Sequence, residues 1–189
     1  EFRMAKGGMK RFATRVARSD PDEFSAMIDG WKELGFTLAY KNGSSFSLND
    51  FHDGKTIRDN VLKKYKKEEN VIRKSGISRK KKDQEIIALY QKAGEELKVV
   101  GQAHYKAKKD NRMWEWAESG ARSNWDQFGQ LVMGPMLVQN PSKEFVPVPL
   151  TTSFGEGLPI SQYWAALHGA RKGTLDRAAG TRDPGALTK

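Results

Sequence analysis

The sequence has no cysteine among its 189 residues, which excludes disulfide bonds and cysteine-based zinc sites and is typical of intracellular proteins. It has no long apolar run, so we expect no membrane-spanning helix. The opening residues, E-F-R-M-A-K-G-G, lack the apolar centre of a signal peptide and do not begin with methionine. We therefore expect a cytoplasmic protein whose chain has been either cut artificially or processed.

The sequence also lacks any arrangement typical of a complete catalytic site. Its three histidines form no pair at metal-binding spacing, and there is no nucleophilic triad or glycine-rich phosphate loop. Asp20 and Asp22 form a D-x-D pair, but Ser19 or Asp20 followed by Pro21 is typical of a helix start. We interpret these aspartates as helix-capping residues, and we expect neither catalytic residues nor metal ligands in this chain.

The charge is strongly basic and localised. The net charge is +10, with 38% hydrophobic residues and a mean hydropathy of −0.71, low for a self-sufficient globule. Residues 55–110 hold 17 Lys or Arg against 8 Asp or Glu, whereas the other 133 residues hold 16 against 15. This excess fits a nucleic-acid surface, and it also fits an ordinary solvated helix face.

The hydrophobic periodicity predicts a mainly α fold with small β elements. Two helices are predicted in residues 55–110, joined by the short turn Ser75–Arg79. The second helix carries an apolar stripe that can pack against the first, so we expect an antiparallel hairpin. That stripe comprises Ile86, Tyr90, Ala93, Leu97, Val100 and His104. The other predicted elements are helices at Met9–Arg18 and from Pro21 to Leu34, closed by Gly35, and strands at Phe36–Tyr40 and Ser45–Leu48. The four predicted segments are 1–54, helical with short strands; 55–110, the hairpin; 111–158, rich in loops; and 159–189, rich in glycine.

The stretch Ser161–Lys189 is ambiguous by composition. It begins like a helix after Pro159, with apolar residues at helical spacing. Each of its four glycines costs about 1 kcal/mol relative to alanine in a helix, and Pro184 costs about 3 kcal/mol. Composition alone therefore leaves a helix and a flexible loop equally open.

The string H-G-A-R-K-G-T-L-D-R-A, residues 168–178, resembles the bridge helix of the β′ subunit of multisubunit DNA-dependent RNA polymerases. Six consecutive identities, His168–Gly173, carry the resemblance, and the alignment continues without a gap to Lys189. The resemblance implies a helix for this stretch, and we expect it to be the first, truncated part of the bridge helix.

Three further stretches resemble the same family in the same order. E-S-G-A-R-S-N-W-D-Q-F-G-Q-L-V-M-G-P-M-L, residues 118–137, resembles the F loop, which supports the bridge helix. P-V-P-L-T-T-S-F-G-E-G-L, residues 147–158, resembles the lead-in to that helix, and residues 34–51 resemble a segment further upstream. By position, the hairpin resembles the rim of the secondary channel, where substrate enters and regulators dock.

The resemblance implies a part of an RNA polymerase that lines the active centre and the secondary channel and is inactive alone. The family's magnesium-binding motif and trigger loop are absent from this sequence, so Mg²⁺ is expected to bind residues outside the chain. The implied partners are β-like and remaining β′-like chains, template DNA, RNA, nucleoside triphosphates and channel-binding factors at residues 55–110.

The resemblance also implies site residues. Arg122 matches the arginine of S-G-A-R that approaches the triphosphate of the incoming nucleotide, a role suited to a planar guanidinium. A structural arginine that satisfies nearby carbonyls is the alternative. The family's second arginine in this region is Gly129 here, so a two-arginine clamp is halved or completed by another residue.

In the bridge-helix stretch, the resemblance implies five residues that line the active centre and contact nucleic acid. They are Arg171, Lys172, Thr181, Arg182 and Lys189. Thr181 matches the threonine that faces the nascent base pair, and Lys189 lies near the template strand. Arg182 replaces an alanine, and Pro184 should kink or limit the helix. Such divergence resembles the split β′-like subunits of large bacteriophages, which would place the protein in the host cytoplasm or the virion.

Two alternatives come from another class of function. One is a freestanding basic module that binds nucleic acid or regulates a polymerase, and the other is direct DNA binding by the hairpin. A solvated surface, regulator docking and DNA contact all remain open for the basic charge. Four tryptophans, expected to be exposed on the isolated chain, favour burial against partner chains over a freestanding module. They are Trp114, Trp116, Trp125 and Trp164.

Overall fold

A computed structural model describes residues 5–51, 53–108 and 110–188. Within these residues the fold is mainly helical, as predicted. The helices are α1, Lys6–Ser19; α2, Phe24–Asn42; α3, Lys55–Lys74; α4, Arg79–Lys108; α5, Arg112–Ser119; α6, Trp125–Val132; and α7, Ile160–Thr188. A 3₁₀ helix spans Leu48–Phe51. The β structure in the described part is two isolated antiparallel bridges, Met136 with Leu150 and Gln139 with Phe145.

Helices α3 and α4 form the predicted hairpin, with a buried stripe on α4 that the periodicity located for most of its length. Residues Ile86, Tyr90, Ala93 and Leu97 are buried, and Leu89 joins them. At the end of α4 the buried stripe moves to Gly101 and Tyr105, so the predicted Val100 is wrong, whereas His104 is half-buried with its ring 5.2 Å from that of Tyr105. The reason is that an α-helix repeats every 3.6 residues, so its contact face drifts from a strict heptad pattern.

Two buried tyrosines connect the helices of the hairpin through carboxylates. Tyr90 Oη donates to Glu69 Oε2 at 2.6 Å, and Tyr65 Oη donates to Glu96 Oε2 at 2.6 Å. Burial, and then the hydrogen bond to Glu69, raises the pKa of Tyr90 above its ordinary value. These phenols are therefore neutral donors that fix the register of α3 against α4.

An aromatic cluster joins α4 to α5 and α6. The Tyr105 ring lies 4.8 Å from the Phe128 ring, and the Trp114 ring lies 5.8 Å from both Trp125 and Phe128. Trp114 is only 4% exposed and Trp125 is half-buried, so the expectation that these tryptophans await partner chains is wrong for Trp114. Asparagine caps set the directions of the two short helices, since Asn111 accepts from Trp114 N and Asn124 from Gln127 N.

The N-terminal segment differs from its prediction. Helix α2 does not end at Gly35 but continues to Asn42, so the predicted strand at Phe36–Tyr40 is wrong. Residues 45–47 form no strand and Leu48 begins the 3₁₀ helix, so the predicted strand at Ser45–Leu48 is also wrong. A single glycine destabilises a helix by only about 1 kcal/mol, and the helix-forming preference of the neighbouring residues outweighs this cost. The helix ends instead at Gly43, whose φ of +58° suits glycine and whose N–H donates to Ala39 O at 3.0 Å.

Helix α1 packs on α2 through stacked rings of Phe12 and Trp31, 4.9 Å apart. In the connection between them, Asp20 Oδ1 accepts from Glu23 N at 3.3 Å, which closes a turn. Helix α2 begins at Phe24, with Glu23 before it and no side-chain cap, so the predicted helix start at Pro21 with an aspartate cap is wrong. Helix α2 leaves Leu34, Phe36 and Tyr40 exposed on more than one side of the helix. A helix with apolar residues on all sides is typical of a buried environment.

Phe128→Ala should lower the free energy of unfolding by about 3–5 kcal/mol, because Phe128 is fully buried among aromatic rings and its loss leaves a cavity. Urea denaturation of the chain measures this. Phe36→Ala, at a 64% exposed position, is the matched control and should change stability by less than about 1 kcal/mol. Equal effects of the two substitutions would contradict this description of the core.

Candidate functional site: the loop after α5 and the helix α7

Arg122 lies in the loop that connects α5 to α6. Gly120 ends α5 in the left-handed region, at φ +75°, and the Arg122 N–H donates to Trp116 O at 3.4 Å. The Arg122 side chain is exposed and makes no hydrogen bond or ion pair with the described residues. The carbonyl contacts expected of a structural arginine are therefore not seen in residues 5–51, 53–108 and 110–188, and the guanidinium is available to a ligand.

The first half of α7 is docked on the loop segment before it. Ala165 is fully buried against Val146 and Leu150, with Val138 and Leu158 packed alongside. On the next turn, a Cβ on Gly169 would lie 3.3 Å from the side chain of Val138. Small residues on this face of α7 therefore allow close approach to the loop.

The second half of α7 is exposed from Gly173 to Thr188. A Cβ built on Gly173, Gly180 or Gly185 would meet nothing within 4 Å. These glycines are thus not explained by packing within the described chain. The helix also continues through Pro184 to Thr188, so the expected limit at the proline is not seen. A proline removes one hydrogen bond, and the bonds on either side of it still hold the helix.

The structure places the predicted site residues of α7 on one helix but not on one face. Arg171 and Arg182 are eleven residues apart and therefore point in directions within about 20° of each other. The Thr181 hydroxyl donates to Arg177 O at 2.9 Å, and Lys172 forms an ion pair with Asp176 at 2.6 Å.

Arg182 donates to the adjacent Asp183 at 3.0 Å, and both side chains are exposed. Lys189 lies outside the described residues. In the described part of the chain, no hydrogen bond or ion pair connects Arg122 with α7.

The start of α7 is held by the loop 151–157. Gln162 Oε1, in the first turn, accepts from Thr152 N at 3.0 Å. Ser153 Oγ donates to Glu156 Oε2 at 2.9 Å and accepts from Glu156 N at 3.2 Å. The backbone N–H of Gly155 donates to Leu131 O of α6 at 3.0 Å. These bonds attach the loop to α6 on one side and to α7 on the other.

A buried ion pair attaches the same loop to the hairpin. Arg58, in the first turn of α3, is 4% exposed, and its guanidinium donates to both carboxylate oxygens of Glu156. Arg58 also donates to Asp59, and Lys55 Nζ lies 3.2 Å from Glu156 Oε1. The hydrogen bond from Arg58 is the largest cause that lowers the pKa of Glu156 to about 2, with Ser153 and Lys55 adding to it against the effect of burial.

The sequence did not single out Arg58, Glu156 or Gln162. Glu156 lies inside the string that resembles the lead-in to the bridge helix. That resemblance was the only sequence signal that could have identified Glu156. Arg58 had none, because its partner is 98 residues away along the chain and its neighbours are typical of a basic helix.

Two open grooves flank the segment 134–139. One, of about 840 Å³, runs along α7 and is lined by Phe145, Phe154, Leu158, Tyr163 and Leu167, among others. The other, of about 900 Å³, lies between α4 and α6. Among the described residues, no group of three or more histidine and acidic side chains is placed to hold a metal ion. None of the described helices is long and apolar enough to cross a membrane.

The chain is similar along nearly its whole length to curated DNA-directed RNA polymerase β′ subunits, although no family model matches it. The β′ subunit of Clavibacter michiganensis subsp. michiganensis is 32% identical over 189 residues, which cover 97% of this chain and 14% of the relative. That of Salinispora arenicola is 32% identical over 193 residues, covering all of this chain and 15% of the relative. That of Bifidobacterium adolescentis is 31% identical over 181 residues, covering 94% and 13%.

These similarities define a class first: the chain corresponds to a stretch of a nucleic-acid polymerase subunit. More specifically, it belongs to the family of β′ subunits of DNA-directed RNA polymerase. The chain spans about one seventh of the length of the curated relatives that it matches.

Acid should weaken the attachment of the loop to the hairpin. Because the pKa of Glu156 is lowered from 4.5 to about 2, its pairing contributes to stability fully above pH 4.5 and is lost as the pH falls toward 2. Urea denaturation between about pH 6 and about pH 2.5 should therefore show a steeper loss of stability for the wild type than for Glu156→Gln. The exposed Glu144→Gln should keep the wild-type slope, and equal slopes for all three would contradict the assignment.

Proposed function

We propose that this chain is the part of a DNA-dependent RNA polymerase β′ subunit that carries the first part of the bridge helix, in α7, and its supports. It is not catalytic by itself but lines the active centre and the secondary channel and helps position the nucleotide and the nucleic acid. One observation carries the proposal: α7 is a continuous helix whose docked half contains most of the His168–Gly173 string and whose remaining half is exposed.

The exposed half of α7 suits a helix that bends among other chains and nucleic acid. Its glycines and Pro184 make it about 6 kcal/mol less favourable than an alanine helix even without Gly169, so neighbours are needed to stabilise it. Arg171 and Arg182 share a face, from which two guanidinium groups can reach phosphates. Thr181 engages its hydroxyl with its own helix and is exposed, which leaves the residue accessible to a base pair.

Arg122 is proposed to contact the triphosphate of the incoming nucleotide. Its side chain is exposed and unpaired within the described residues, as a ligand-binding arginine in a free chain should be. Its loop is held between two capped helices, which limits the entropy lost on binding. Mg²⁺ would be bound by residues outside this chain and would supply the phosphoryl-transfer chemistry of the assembled enzyme.

The hairpin α3–α4 is proposed to form a rim of the channel through which substrate enters. Its tip carries the exposed residues Lys74, Arg79, Lys80 and Lys81, which make no ion pair in the described chain. Such cations attract nucleotides and the acidic groups of regulators. The remaining proposed partners are the other polymerase chains, template DNA and RNA, in the cytoplasm. Arg182 and Pro184 differ from the family's residues at these positions, which supports a divergent, bacteriophage-type enzyme.

In the assembled polymerase, Arg122→Ala should lower kcat/KM for nucleotide addition about tenfold to a hundredfold. This is the effect of losing a charge-assisted hydrogen bond of roughly 1.5–3 kcal/mol. Single-nucleotide addition kinetics measure it. Arg112→Ala is the matched control, because Arg112 is an exposed arginine nearby that already pairs with Glu115. Unchanged kinetics for Arg122→Ala would remove Arg122 from the nucleotide site.

The second candidate is a freestanding basic nucleic-acid-binding or polymerase-regulating module. It is favoured by α1, whose five basic residues have no acidic residue among them and which contributes Arg15 and Arg18 to a shallow groove. Such a module binds DNA as the 189-residue chain, with a steep loss of affinity as salt rises. Native mass spectrometry of the complex purified from its source decides between the two: the polymerase proposal requires the magnesium motif and the trigger loop to be present in that complex.

A further inference from the structure

We propose that Glu156 is a positioning residue: held by Arg58 at the base of the α3–α4 hairpin, it sets where the helix α7 begins. This proposal rests on the proposed function of α7 as the bridge helix for its effect on transcription. Its structural part, the attachment of α7 to the hairpin, can be tested without that function.

The hairpin side of the attachment is rigid. Arg58 lies in the first turn of α3, where it is almost completely buried, and Val61, Leu62 and Tyr65 on the same helix belong to the main core. Its two-point contact with Glu156 fixes the direction of the carboxylate as well as its distance. A buried guanidinium that lost this partner would keep only the half-buried Asp59 as its ion-pair partner in the described chain. The position of Glu156 is therefore strongly defined by α3.

The loop that carries Glu156 cannot slide past its neighbours. Gly155 is so closely enclosed that a Cβ there would lie 2.6 Å from the Cβ of Phe51 and 2.8 Å from Leu131 O. The adjacent Phe154 N–H donates to Gln130 O at 3.0 Å. Contacts with the 3₁₀ helix and with α6 thus hold the loop on two sides, while the ion pair holds it on a third.

The path from Glu156 to α7 is short. Only three residues, 157–159, separate it from Ile160, the first residue of α7. One of them, Leu158, packs in the same cluster as Ala165, and Pro159 has a restricted φ angle. Gln162, in the first turn, accepts a hydrogen bond from Thr152 N. A displacement of Glu156 is therefore transmitted to the first turn of α7 rather than absorbed by a flexible linker.

The first experiment measures amide hydrogen exchange in the full 189-residue chain. Glu156→Gln should speed exchange about tenfold or more over residues 160–166, while the buried part of α4, residues 86–97, stays protected as in the wild type. Glu144→Gln is the matched control and should leave both regions unchanged. Unchanged exchange over 160–166 would overturn the proposal, and so would a uniform rise over the whole chain, which indicates general destabilisation.

Two substitutions of Arg58 separate charge from shape, and they keep the proposal testable if Glu156→Gln folds poorly. Arg58→Met removes the charge at similar size and should reproduce the faster exchange over 160–166. Arg58→Lys keeps the charge but offers no two-point contact, so it should restore part of the protection. Identical exchange in the methionine and lysine variants would show that the ion pair does not position α7.

The second experiment uses the assembled polymerase. Glu156→Gln should lower the maximal rate of nucleotide addition at least threefold and leave KM for the nucleotide within about twofold, because Glu156 acts through α7 and touches no substrate. Arg58→Lys should recover more of the rate than Arg58→Met. A change in KM alone, or an unchanged rate, would overturn the positioning role.

Arg171→Ala distinguishes failure of this inference from failure of the proposed function. If Arg171→Ala slows nucleotide addition and Glu156→Gln does not, α7 works in transcription and the positioning role of Glu156 is wrong. If neither substitution alters nucleotide addition, the proposed function of α7 is wrong, and with it the role of Glu156 in transcription. The exchange measurements then still decide whether Glu156 holds the start of the helix.

Discussion

The buried face of α4 is the surface on which the rest of the described core assembles. Helix α3 packs along it, and the aromatic rings of α5 and α6 pack on its last turns through Tyr105. Because burial of apolar surface is the main favourable contribution to folding, this one helix brings together segments far apart in the sequence. Gly101 illustrates the closeness of the packing: a Cβ there would lie 2.5 Å from Trp125 and 2.7 Å from Met133.

The segment that leads into α7 is held mainly by polar contacts. Its own apolar cluster is small, with three buried residues, Val146, Leu150 and Ala165. The ion pair of Arg58 with Glu156, together with the backbone bonds to α6, joins this cluster to the main core. A buried pair of this kind adds less to net stability than an apolar contact of the same size, but it defines a single geometry.

The contrast between well-packed and poorly supported parts of the chain fits a piece of a larger protein. The hairpin, α5 and α6 form a core of their own, whereas α7 beyond Gly173 and the outer face of α2 have little support within the described chain. In the proposed setting, neighbouring chains and nucleic acid supply that support. A helix that is stable only among its neighbours can bend when they move, which a rigid, alanine-rich helix could not do.

The sequence alone was sufficient for the mainly helical fold, for the hairpin, and for the family, because local periodicity and the string His168–Gly173 need no knowledge of tertiary contacts. The similarity to β′ subunits confirms that family. It was also sufficient to name Arg122, Arg171, Lys172, Thr181, Arg182 and Lys189 as candidates, although their roles stay predictions.

Predictions from local sequence patterns were wrong where tertiary packing decides the structure. Helix α2 continued past Gly35, the stripe of α4 drifted to Tyr105, and Trp114 became core, because packing outweighs a preference of about 1 kcal/mol per residue. Composition could not settle whether Ser161–Lys189 forms a helix or a loop. The reason is that its docked half is held by residues up to about 30 positions earlier in the sequence. The attachment of that helix depends on Arg58 and Glu156, whose contact across 98 residues has no periodic signal and exists only once the chain is folded.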